Sequence, residues 1–202
     1  MKEFVHLHNH SDFSLLRATS RVPALVKRAG EMNMPGVALT DDGNLFGAYR
    51  FYQECGGDDP RINPIVGCDF FMATDSRHNK TAVENAKQYQ RIVLLATSDA
   101  GYRNLIQLSS AGYTEGFYYK PRIDKELLQQ YSADLIALSG GLGGEIPQLI
   151  TRGRMDEARQ AAEWYAALYG KEHFYLELTD HGIPEQQTVN RALIAMSLSL
   201  IH

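Results

Sequence analysis

Short apolar runs alternate with amphipathic stretches along nearly the whole of this chain. The runs at residues 4–8, 37–40, 64–72, 92–97, 135–139 and 174–178 have the length and the β-branched or aromatic content of buried strands. Between them, apolar residues recur at helical spacing over 21–33, 45–55, 99–110, 124–130, 145–152, 155–169 and 184–200. Ser20 stands where the first helix needs a cap, with Pro23 tolerated in its first turn, and Ser98 or Asp99 caps the third, which Gly112 ends. Residues 73–90 and 113–122 read as loops. Strand and helix in repeated series predict a parallel sheet, doubly wound or closed as a barrel. The last helix stays apolar to its end, with no Gly, Asn or basic final turn. That pattern predicts a further strand beyond residue 202, and exposure of Leu193, Ile194, Leu198 and Ile201 without it.

Composition narrows the class. Of the 202 residues, 44% are apolar and 22% charged, ordinary for a globular protein with a real core. A net charge of −4 gives no electrostatic footprint for gripping phosphates directly. Arg77 and the basic residues after it are interrupted by acids and read as a solvated loop. The two cysteines, Cys55 and Cys68, form no CxxC pair, so a disulfide framework is not expected and a reducing, cytoplasmic setting is. No stretch approaches the ~20 apolar residues of a membrane helix.

The chemistry concentrates at the ends of the strands. His6, His8 and His10 alternate through the first strand, so one face carries three imidazoles, each needing a partner for its N–H. His8 and His10 close that strand, Asp41 and Asp42 close the second, Asp69 lies in the third, and Arg91 opens the fourth. In α/β barrels the active site is built at that face from several strands. Two histidines with carboxylates suit zinc, manganese or iron, and two such ions can clamp a phosphate. Plainer readings stand beside this one. Asp41 caps the following helix or folds a turn, and Asp69 serves as a structural acceptor. Gly140 to Gly144 form a flexible loop, lacking the Lys-Ser/Thr of a phosphate-binding loop. Tyr118-Tyr119-Lys120-Pro121-Arg122 reads as a packed surface loop rather than a base-stacking platform, and His173 and His181 as loop histidines.

Several blocks resemble one family. Phe-Val-His-Leu-His-Asn-His-Ser from Phe4, Leu-Thr-Asp-Asp-Gly-Asn-Leu-Phe-Gly from Leu39 and Pro-Ile-Val-Gly-Cys-Asp-Phe-Phe from Pro64 are similar to the polymerase-and-histidinol-phosphatase (PHP) domain. The version they resemble opens the alpha subunit of bacterial DNA polymerase III. Later blocks around Gly101, Tyr118, Leu138 and Tyr175 agree with the same version, in order.

The resemblance implies a distorted (β/α)7 barrel, an α/β fold here lacking its last strand. Residues 1–202 would then be a PHP domain cut from a much longer polymerase chain. It implies a metal site at His8 and His10, with Asp42 standing where a His is usual and Asp69 where a Glu is usual. Arg17, Arg91 and Gly141 replace ligands outright, and a guanidinium has no lone pair to give a metal. Either no divalent metal or a partly occupied zinc or manganese site is therefore expected, with magnesium belonging to the parent polymerase. The expected role is a structural and subunit-docking module whose own catalysis is lost. The implied partners are the remainder of the alpha chain, the proofreading exonuclease subunit, other replisome subunits, and DNA through the parent protein, with no membrane. The alternative is an active metal-dependent phosphoesterase, a 3′–5′ exonuclease or pyrophosphatase, using His8, His10, Asp42 and Asp69.

Overall fold

A computed structural model describes residues 4–57, 61–81 and 89–200. The elements follow the predicted alternation: α1 (Val22–Glu31), β1 (Gly36–Asp42), α2 (Ala48–Cys55), β2 (Asn63–Ala73), β3 (Tyr89–Ala96) and α3 (Asp99–Thr114). Then come β4 (Arg122–Ile123), α4 (Lys125–Gln130), β5 (Leu135–Leu138), α5 (Glu145–Thr151), α6 (Met155–Tyr169), β6 (Phe174–Tyr175) and α7 (Pro184–Leu200). One sheet holds the strands in the order β1-β2-β3-β5-β6, with β4 pairing the far end of β2.

The sheet is not uniformly parallel. β1 with β2, β2 with β4 and β5 with β6 run parallel, but β3 is antiparallel to both neighbours. A parallel return needs a long crossover, usually a helix, and among the described residues none lies between β2 and β3. Inverting β3 carries its first residues, Arg91 included, to the end of the sheet where the parallel strands finish.

Other boundaries also shift. The predicted strand at 4–8 has no regular ladder. It touches β1 through Ala38 N–H to His6 O and Thr40 N–H to Asn9 O, and the Asn9 amide donates to the carbonyls of His6 and Ala38. A side chain thus replaces part of the strand pairing. α1 begins after Arg21 without a side-chain cap, so Ser20 does not cap it. Ser98 does cap α3, accepting from Gly101 N–H, and the helix runs through Gly112 to Thr114. β4 arises where the predicted 113–122 loop meets the predicted 124–130 helix, and the sixth strand shortens to Phe174–Tyr175. Of the predicted 73–90 loop, residues 82–88 lie outside the described residues. Leu193 is buried, contrary to expectation, while Ile194 and Leu198 are exposed; Ile201 lies outside the described residues.

Strand periodicity divides the core. One face carries Cys68, Phe70, Met72, Ile92, Leu94, Leu135 and Ala137, packed against α3 to α7. The opposite face carries a small cluster of Ala38, Val93, Leu95 and Leu138. That second face curls inward. His8, in the segment bound to β1, meets Glu177, just past β6, at 2.7 Å. The two margins of the sheet therefore touch, which makes the fold a distorted barrel closed there by side chains.

Candidate metal centre

Above the small inner cluster, polar residues replace apolar ones on the same strand face. Asp42 and Asp69 are direct register partners on β1 and β2, and Arg91 lies on β3 two residues before Val93. Two carboxylates side by side in a half-dry barrel repel each other unless a cation stands between them. Here Arg91 is that cation. Its Nε donates to Asp69 Oδ1 at 2.8 Å, and its Nη2 donates to Asp69 Oδ2 and to Asp42 Oδ1. The guanidinium also lies 4.3 Å from the Phe71 ring centroid, opposite it in register.

The histidines converge on the same oxygen. His8 Nε2 and His10 Nε2 each lie 3.1 Å from Asp69 Oδ2, and His10 Nε2 is 3.3 Å from Asp42 Oδ1. Burial works against a charged His8, but its hydrogen bonds to Asp69 and Glu177 outweigh that and push its pKa up to about 10. His10 is raised too, against burial, by Asp42 and Asp69. Burial would raise the Asp69 carboxyl, yet His10, His8 and Arg91 hold it well below the usual carboxylate range. Asp42 is lowered against burial by His10 and Arg91.

Each residue named from the sequence finds a definite place. His8, His10 and Asp69 bring one donor atom apiece within 4.8 Å, a spacing that could hold an ion. Asp42 joins them. Arg17 is half-exposed, its Nε 3.5 Å from Asp42 Oδ2. Gly141 offers no side-chain donor and sits in a 3-10 turn, Gly141–Gly143. His6 does not share the cluster: it is exposed, edge-on to Phe4. Asp41 is buried and accepts from Ser11 N–H, Ser11 Oγ–H and Ser14 Oγ–H at 2.6–2.7 Å, so it holds the 11–14 turn and caps no helix. His181 is tied to the Gln186 amide.

Three features escaped the sequence reading. Glu177 bonds His8 Nδ1, and its second carboxylate oxygen is buried without a hydrogen-bond partner. Its only signal was an acid among apolar neighbours inside the predicted strand at 174–178. The glycine run is not loose but fitted to Arg91. A Cβ on Gly140, at φ 77°, would sit 2.6 Å from Arg91 O, and one on Gly143 would sit 2.6 Å from Arg91 Cγ. Arg77, expected in solvent, is buried and pairs with Asp124, Glu115 and Glu126.

Does this donor set suit a cation? Asp69 Oδ2, the oxygen both imidazoles face, is already bonded to Arg91. With Arg91 in place, an ion at these donors would have to displace its guanidinium from Asp69 Oδ2. The surrounding cavity, about 1450 Å³, is open and lined by the inner apolar face together with His8, His10, Arg17 and Glu177.

A barrel with its polar cluster at the strand ends is the frame of one class of domain. The PHP domain profile matches residues 6–181, and the chain belongs to that family. DNA polymerase III subunit alpha of Borreliella burgdorferi is 43% identical over 98% of this chain, and that of Treponema pallidum 42% identical over 98%. The match takes up 17% of each of those relatives, so the chain spans about a sixth of their length. Among solved structures, a Bifidobacterium adolescentis protein described provisionally as a metal-dependent phosphoesterase aligns with a TM-score of 0.55. It is 13% identical, over 98% of this chain and 84% of that one, which supports the fold alone. Among the described residues, no helix is long and apolar enough to cross a membrane.

Proposed function

We propose that this chain is the amino-terminal PHP module of a bacterial DNA polymerase III alpha subunit, serving as a structural part of a DNA-directed DNA polymerase in the cytoplasm. Its own phosphoesterase chemistry is lost. Nucleotide addition, its magnesium, and contacts with DNA, the proofreading exonuclease subunit and other replisome subunits belong to the parent assembly. The observation that carries this reading is the Arg91 guanidinium bonded to both Asp42 and Asp69. A fixed, always-charged side chain supplies the positive charge that the paired carboxylates require, and it leaves no open coordination position for an activated water.

The convergence of His8, His10 and Asp69 favours a second reading, a phosphoesterase with a partly occupied zinc or manganese site. Elemental analysis of the purified protein separates the two. Metal below a tenth of an equivalent, with thermal unfolding unchanged by chelator, is expected. Stoichiometric zinc or manganese that disappears in His8→Ala/His10→Ala would establish the phosphoesterase instead.

A further inference from the structure

Asp42 closes β1 and Gly43 follows it, the one Asp–Gly pair in the chain; Asn–Gly does not occur. Geometry demands the glycine. Its φ is 64°, and a Cβ there would meet Pro121 Cγ at 2.8 Å and the Phe71 ring at 3.2 Å. With no side chain at 43, nothing on that residue hinders its amide nitrogen from attacking the side-chain carboxyl carbon of Asp42. In that reaction an N–Cγ bond closes a five-membered succinimide, and the amide proton leaves with the carboxyl hydroxyl as water. Water then re-enters at either carbonyl. One opening restores aspartate; the other yields isoaspartate, whose main chain is one methylene longer.

Here the polar atoms around that bond are held in place. Pairing of β1 with β2 sets Asp42 opposite Asp69, and Gly43 N–H donates to Asp69 O at 2.9 Å. Asp42 N–H donates to Ser14 Oγ at 3.0 Å, and the Asp42 carbonyl accepts from the Asn44 amide at 2.9 Å. On the side chain, Oδ1 accepts from Arg91 Nη2, and Oδ2 faces Arg17 Nε at 3.5 Å. For the ring to close, the carboxyl must leave Arg91 and the Gly43 amide must leave Asp69. We propose that Asp42–Gly43 is a latent isoaspartate site, kept closed by the Arg91 guanidinium. The added methylene would pull Asp42 away from Asp69 and dismantle the ion cluster from within.

Ageing the full-length protein at neutral pH and physiological temperature tests this, with electron-transfer mass spectrometry of the peptide spanning residue 42. Isoaspartate there should accumulate at least about ten-fold faster in Arg91→Ala than in the parent, the factor that ~1.4 kcal/mol of lost restraint supplies. Leu193→Ala opens a cavity at a buried position on α7, destabilises the fold without touching this turn, and should stay within about two-fold of the parent. Equal rates in Leu193→Ala and Arg91→Ala would mean that any loss of stability opens the site, which overturns the role of Arg91. Parent-level ageing of Arg91→Ala overturns it too, as does a parent that ages as fast as its own urea-unfolded chain. Should Arg91→Ala fail to fold, Arg91→Lys takes its place. It keeps a cation, loses the planar fork that holds both carboxylates, and should age at a rate between the parent and the unfolded chain. Parent-level ageing in that variant is again the overturning result.

Discussion

Arg91 and Arg77 are both buried guanidiniums held by carboxylates from distant parts of the chain, yet they do different work. Arg77 ties a loop down. Its Nη1 donates to Asp124 and Glu126, its Nε donates to Glu115, and Asp124 also caps α4 by accepting from Leu127 N–H. The carboxylates of Glu115 and Glu126 are 43% and 74% exposed and would return to water without Arg77. Arg91 has no such release. Asp42 and Asp69 are more than nine-tenths buried, and the groups left beside them are two imidazoles that are themselves metal-ligand types. One Nη of Arg91 is buried with no hydrogen-bond partner at all.

The largest effect should come from breaking that equivalence directly. Arg91→Ala leaves two buried carboxylates facing each other and is expected to cost about 3–5 kcal/mol in urea denaturation. Arg77→Ala frees two exposed acids and leaves buried Asp124 its bonds from the backbone N–H groups of residue 77 and Leu127, so it should cost about 1–3 kcal/mol. The sharper contrast is the response to ions. Millimolar zinc or manganese should raise the unfolding temperature of Arg91→Ala, through His8, His10, Asp42 and Asp69, and leave Arg77→Ala and the parent unchanged. Equal responses in all three proteins would erase the distinction between the two arginines.

A smaller test uses the glycines packed on Arg91. Gly143→Ala drives a methyl to 2.6 Å from Arg91 Cγ and should cost about 1–3 kcal/mol. In an Arg91→Ala background that obstruction is gone, so most of the cost should vanish. Gly140→Ala meets the Arg91 backbone oxygen instead, and its cost should persist in both backgrounds. Gly153, at φ 73° with nothing within 4 Å of an added Cβ, supplies the reference, because only its backbone strain is felt. Additive costs for Gly143→Ala and Arg91→Ala would mean that the glycine run is not fitted to that side chain.

These contrasts also explain what the sequence made legible. The barrel's alternation and the convergence of His8, His10, Asp42, Asp69 and Arg91 could be read because apolar runs locate strands, and strand ends locate the site. The inversion of β3 could not, since periodicity carries no direction. Arg77 was misjudged because its partners lie 38 to 49 residues away, at the end of α3 and the start of α4, whose packing no local pattern reveals. Glu177 was passed over for a similar reason: its importance comes from His8, 169 positions earlier, across the closing margin of the barrel. The glycine run looked flexible in isolation, and only its contact with Arg91 shows that the missing side chains make room for another residue.

The smallest effect expected is the change that Glu177→Gln makes in the pH response of that closing contact. His8 is raised from 6.5 to about 10, with burial opposing and the bonds to Asp69 and Glu177 prevailing. A group whose folded pKa lies above its unfolded value contributes fully below the unfolded pKa. That contribution is lost as pH rises through the folded one. Stability should therefore fall between pH 6.5 and 10, by at most about 1.4 kcal/mol per pH unit for a single proton. The Asp69 carboxylate, lowered in the folded state, works in the opposite direction and only under acid, so it does not mask the alkaline slope. Glu177→Gln keeps an amide oxygen that can accept from His8 Nδ1 but removes the carboxylate charge, and should flatten the alkaline fall, while Glu126→Gln, in the Arg77 network, should leave it unchanged. An unaltered slope in Glu177→Gln would show that the charge of Glu177 does not hold the His8 proton. The difference between the two networks would then rest on Arg91 alone.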